Sequence, residues 1–196
     1  MKKLASALAL AASSFVFAYS SFAEEVPVQF STIDDFNAPN SQDVKGVRFP
    51  ALYGKTSNVT GVDLHLLAIS EVDNFKGVQF PLFSVIGVPA GANHVNESMT
   101  GAAFGLWNWN KGQATGANIA TVNITNNVKG ANIGVVNYSI GHTSFDWSVA
   151  NISKSSGAQL GIFNMTDEIK GVQIGLLNCA KNGFLPCFPF VNFAVK

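Results

Sequence analysis

Between Gly116 and Asn178 the chain writes nearly the same phrase five times: GANIATVN, GANIGVVN, SFDWSVAN, GAQLGIFN and GVQIGLLN. Self-similar text at a short fixed period restricts a chain to repeat architectures and outranks any local preference. The closing asparagines set the period. They fall at Asn108, Asn123, Asn137, Asn151, Asn164, Asn178 and Asn192, in steps of 15, 14, 14, 13, 14 and 14. The opening residues keep the same beat at Gly101, Gly116, Gly130, Ser144, Gly157 and Gly171, with serine in one glycine slot. One unit is therefore about fourteen positions long.

Helical repeats need roughly 20 to 45 residues per unit. Here Val172, Ile174 and Leu176 alternate with Gln173 and Gly175, the period-two pattern of a strand with one apolar face. The fold class is all-β. The expected architecture is a tandem-repeat β-solenoid in which each unit is one coil stacked on the last, with residues such as Ile133, Val135, Val136 and Tyr138 turned inward. An antiparallel β-barrel or meander is the alternative. Strands of alternating direction would meet the two ends of a sheet in alternating order, and odd and even units would drift apart; the text shows no such alternation. Stacking also gives the seven asparagines a role as a structural ladder, each amide bonding to its copies above and below and so offsetting the cost of burial.

Positions 1–23 read as a secretory signal peptide, with Lys2 and Lys3 ahead of an apolar run and Ala23 at the cut. Residues 24–45 are irregular and read as an N-terminal strand and cap over the first edge of the array. The β-repeat domain then occupies 46–196, opening with degenerate units at Gly46, Gly61 and Gly77. Gly77 and Gly101 stand well over one period apart, so an insertion is expected near 88–98. The last unit places Pro186 and Pro189 where glycines would stand, which marks a sheet edge.

Twelve basic residues balance twelve acidic ones, which argues against a nucleic-acid partner. His65, His94 and His142 lie in different units, without metal-ligand spacing or a neighbouring nucleophile. With no cofactor motif, no enzyme is expected. Charged residues make up only 12% and hydrophobic ones 47%, so either small residues supply much of the surface or an outer membrane, an envelope glycan or another protein covers part of it.

Trp107 and Trp109, two apart, share one face of a strand. Exposed, they would form a contact surface for carbohydrate or a membrane interface; buried, they are core. Core is the expectation, because Trp147 takes an inward position in its own unit. Thr125, Ser139, Ser153 and Thr166 form a hydroxyl file suited to ice or glycan, or to a hydrogen-bonded corner. Cys179 and Cys187, eight apart in an exported chain, admit a disulfide stapling the last units; two free thiols in apolar slots are the alternative.

The repeat, written G-[AV]-[NQ]-[IL]-G followed by two hydrophobic residues and Asn, recurs at Gly130 to Asn137, Gly157 to Asn164 and Gly171 to Asn178. With the ending NGFLPCFPFVNF it resembles a family of uncharacterised bacterial exported surface-repeat proteins. The resemblance implies an architecture and carries no activity. The functional expectation is a non-enzymatic exported protein of the bacterial cell envelope or surface, acting through surface contacts. An integral outer-membrane β-barrel is the principal alternative, although strands of about seven residues fall short of the nine to eleven needed to span. A secreted glycan- or ice-binding module is the other.

Overall fold

The computed structural model describes residues 25–33, 36–66, 69–82, 84–85, 88–89 and 91–195; the signal-peptide reading of 1–23 lies outside them. The elements are β1 (Val26–Ser31), β2 (Asn37–Ala38), β3 (Asp43–Pro50), β4 (Tyr53–His65), β5 (Ile69–Pro81), β6 (Ser84–Val85), β7 (Val88–Pro89), β8 (Ala92–Trp147), β9 (Ala150–Leu160), β10 (Phe163–Ala180) and β11 (Cys187–Phe193). Nine of them form one sheet in the order β11-β10-β9-β8-β5-β4-β3-β1-β2.

From β1 to β10 every pairing between successive members of that sheet is parallel. Gly46 lies beside Gly61, Gly61 beside Gly77 and Gly77 beside Gly101, so the phrases stack in register. This is a β-solenoid of about nine turns, and the parallel pairing excludes the antiparallel barrel. The coils average about 16 residues, longer than the later phrases, because the steps from Gly61 to Gly77 and from Gly77 to Gly101 exceed the later period.

The insertion sits earlier than expected. Pro81 pairs with His65 and Ala92 with Ile69, so ten residues bridge a gap that three bridge in the preceding coil. Ala92 to Val95 belong to a regular coil, one further residue is added between Val95 and Ser98 where the register shifts, and the rest of the extra chain, holding the β6–β7 hairpin, precedes them.

Both ends of the stack are closed by reversed strands. β2 runs antiparallel to β1, and β11 turns back along β10, placing Val172 opposite Phe193 and Cys179 opposite Cys187. The two cysteines are disulfide-bonded. A reversed or proline-bearing terminal strand interrupts the parallel template that an open coil would offer to other chains.

The interior corrects the expectation about facing. Two residues after the opening positions lie Arg48, Asp63, Gln79, Asn118, Asn132, Asp146, Gln159 and Gln173, with Ala103 after Gly101, all buried. Val135, Tyr138, Ile174 and Leu176 are instead exposed, while Ile133, Val136 and Val172 are half-buried. Alternation separates two faces without saying which points inward. Amides repeating at the strand spacing can satisfy one another along the stack, so the polar face closes the coil. One apolar file survives, through Val44, Val59, Phe75, Met99, Ala114 and Val128. Beyond Val128 it gives way to Thr143 and Ser156 before Ile169.

Candidate interaction surface

The ladder begins one coil before the expected first member. Asn93 Nδ2 donates to Asn108 Oδ1 at 2.7 Å, and the same bond repeats from Asn108 to Asn123 (3.1 Å), Asn137 (2.8 Å), Asn151 (2.9 Å), Asn164 (2.8 Å) and Asn178 (2.7 Å). The spacing of Asn93 from Asn108, equal to that of Asn108 from Asn123, was the available signal. Asn192 stands outside this amide-to-amide chain. On the reversed β11 it faces Gln173, and its Nδ2 donates to the backbone carbonyls of Asn178 and Leu185.

A second file faces the first across the narrow interior. Asn118 donates to Asn132 at 3.0 Å, Asn132 to Asp146 at 3.1 Å and Gln173 to Gln159 at 2.7 Å. Burial pushes the Asp146 carboxyl above its ordinary value, against hydrogen bonds from Thr143, Asn132, Ser156 and Gln159. Thr125, Ser139, Ser153 and Thr166 are buried and bond to one another in pairs, so this hydroxyl file faces inward and offers no outer surface.

The early coils enclose an ionic cluster that the text did not single out. Arg48 Nη1 lies 3.3 Å from Asp63 Oδ2 and donates to Ser70 Oγ at 3.0 Å, while Ser70 Oγ donates to Asp63. Both partners of the ion pair are fully buried. Burial lowers the Arg48 guanidinium, opposed by Asp63. Among the described residues, both ring nitrogens of His65 and both side-chain polar atoms of Gln79 lack a protein partner. The signal was the polar residue two places after Gly46, Gly61 and Gly77.

His65 makes stability depend on pH. Burial holds its imidazole below the ordinary value, with Asp63 raising it and Arg48 lowering it further. The folded state therefore binds the proton more weakly than the unfolded chain. The His65 contribution to stability is full above about pH 6.5, the free imidazole value, and falls below it by at most about 1.4 kcal/mol per pH unit. His94 is also lowered, by burial and then Lys111, against Glu71 and Asp73, so His65→Leu flattens the slope without abolishing it. Urea midpoints measured from neutral to mildly acidic pH check this. An unchanged slope in the variant would remove His65 from the account.

Trp107 and Trp109 are 42% and 44% exposed and Trp147 is 53% exposed, which overturns the core assignment for all three. Asn108 and Asn110 take the inward positions beside them. The Trp109 ring stacks on His94 at 4.7 Å, with Lys111 Nζ 4.8 Å from its centroid. Behind His94, Glu71 accepts hydrogen bonds from Tyr53 and from Asn96, and Asn96 also donates to Asp73. The two tryptophans thus border a polar, hydrogen-bonded patch on one side and the apolar flank on the other.

That flank dominates the later coils. The chain bends at Ser148–Val149 and again at Gly161–Ile162, one coil apart. Along this corner runs an open groove of about 690 Å3, lined by Gly134, Trp147, Val149, Leu160, Gly161 and Ile162 among others. Exposed charge is kept away from it. Between Gly101 and Ala180 the exposed charged residues are Lys111, Lys129, Lys154, Asp167, Glu168 and Lys170, each three to six residues past a ladder asparagine, whereas Gly134 and Gly161 lie three before one.

Among the described residues no group of three or more His, Cys, Asp or Glu is placed to hold a metal ion. No family model, curated protein or solved structure matches this chain.

Proposed function

We propose that this chain is a non-enzymatic exported repeat protein of the bacterial cell envelope that acts through contacts made by its apolar flank. The observation carrying this reading is the inversion of the later coils. Hydrogen-bonded amides fill the inside, while Val135, Tyr138, Ile152, Phe163, Met165 and Leu176 stand exposed outside. Soluble monomers rarely leave contiguous apolar patches above a few hundred Å2, and larger ones mark sites of contact with proteins or membranes. The leader-like stretch from Met1 to Ala23 and the disulfide between Cys179 and Cys187 support an envelope address.

The test is fractionation of cells producing the full chain, beside a Val135→Lys, Leu176→Lys variant that keeps its far-ultraviolet dichroism. The native chain should sediment with envelope or in an assembly. The variant should move to the soluble fraction as a monomer. A native chain recovered as a dispersed monomer, indifferent to the substitutions, would refute the reading.

A further inference from the structure

We propose that the apolar corner of the later coils inserts into one leaflet of an anionic lipid membrane, an assignment that rests on the surface-contact reading above. The coil is shaped for it. β9 and β10 meet at the bend at Gly161–Ile162, and the outer sides of both are apolar, with Leu160 before the corner and Phe163 and Met165 after it; Val135 lies at the same place two coils earlier, one residue before Val136 pairs with Ala150. Charge is confined to the opposite edge. Lys129 at that edge lies six positions before Val135 at the corner, which is about 20 Å of extended chain. The hydrocarbon of one leaflet is about 15 Å deep. The corner thus reaches toward the bilayer centre while the lysines remain among the headgroups.

Lys111, Lys129, Lys154 and Lys170 outnumber Asp167 and Glu168 along that edge, which suits anionic headgroups. A flat protein partner covers one side of a corner, whereas a fluid leaflet closes around both. Backbone polarity is no obstacle, since each inner coil pairs with the coils on either side.

The experiment mixes purified full chain with vesicles of phosphatidylethanolamine and phosphatidylglycerol. Flotation measures binding, and lipids brominated along the acyl chain quench tryptophans that enter it. The native chain should float and its fluorescence, that of Trp147 included, should be quenched. Lys154→Glu with Lys170→Glu should weaken binding by about tenfold or more, as should high salt. Val135→Lys with Leu176→Lys should abolish quenching; if that pair fails to fold, Val135→Ser with Leu176→Ser replaces it and should weaken quenching. Binding that survives the flank substitutions would overturn the proposal. A stable dimer that covers the flank and ignores vesicles would overturn it too, yet leave the surface-contact reading standing. A monomer indifferent to vesicles and to its own copies would overturn both.

Discussion

Serine in place of Gly130 is expected to cost more than about 4 kcal/mol and to leave most of the chain unfolded in dilute buffer, although serine stands in the same file one coil later, at Ser144. Gly130 has φ of 146°, a conformation that side chains with a Cβ rarely adopt, and a Cβ built there would lie 1.9 Å from the carbonyl oxygen of Gly116. That oxygen is backbone and belongs to the neighbouring coil, so the clash is relieved only by parting the coils and breaking their hydrogen bonds. Ser144 escapes by a shorter route. One step separates it from buried Thr143, where two separate Gly130 from buried Val128, and the register shifts between Ser139 and His142. Ser144 consequently needs no positive φ. Ser144→Gly should change stability by less than about 1 kcal/mol. Urea unfolding followed by far-ultraviolet dichroism compares the two variants, and equal midpoints would refute the requirement for glycine. Because coils touch only their neighbours, the damage at Gly130 should split the array rather than trim one end.

The sequence announced the stacking because register is a property of spacing alone. Gly46, Gly61, Gly77 and Gly101 lie side by side for the same reason that they recur in the text. Facing is a different matter. Period-two alternation is symmetric between inside and outside, and the usual preference for apolar cores put Val135 and Tyr138 inward, where the structure puts Asn132, Asn137 and Ser139. Hydrogen-bond accounting would have pointed the right way. Asn118, Asn132, Asp146, Gln159 and Gln173 repeat two places after the opening residue, and stacked polar groups can satisfy one another only if they share a file. The same accounting would have found Arg48 and Asp63. The tryptophans were misplaced through the same inversion, since Trp107 and Trp109 flank Asn108 and share the parity of the apolar residues. The insertion was set too late because Asn93 was not read as a closing asparagine, although it stands as far before Asn108 as Asn108 stands before Asn123 and Ala92 to Val95 pair in register with Ile69 to Val72.

The polar interior makes its own large prediction. Asn137→Leu, close in volume, should destabilise the fold by about 3 to 4 kcal/mol, because it strands polar groups in a dry interior. Asn137 accepts from Asn123 Nδ2 at 2.8 Å and donates to Asn151 Oδ1 at 2.9 Å and to the carbonyl of Asn132 at 3.0 Å. Asn151 Oδ1 keeps a bond from Ser148, and Asn123 Nδ2 keeps the carbonyl of Ile133. The Asn132 carbonyl and one proton of Asn123 carry the loss. Asn126→Leu is the control: its amide donates to the Lys111 carbonyl at an exposed position, and its loss should stay within about 0.5 kcal/mol. The decisive measurement is the double variant of Asn123 and Asn137 to leucine. If the two amides act as rungs of one ladder, their shared bond is lost only once, and the double variant should cost less than the sum of the singles by about 1 to 2 kcal/mol. Strict additivity would mean that each asparagine acts through its own packing, and the ladder would then be a regularity of spacing with no cooperative contribution to the fold.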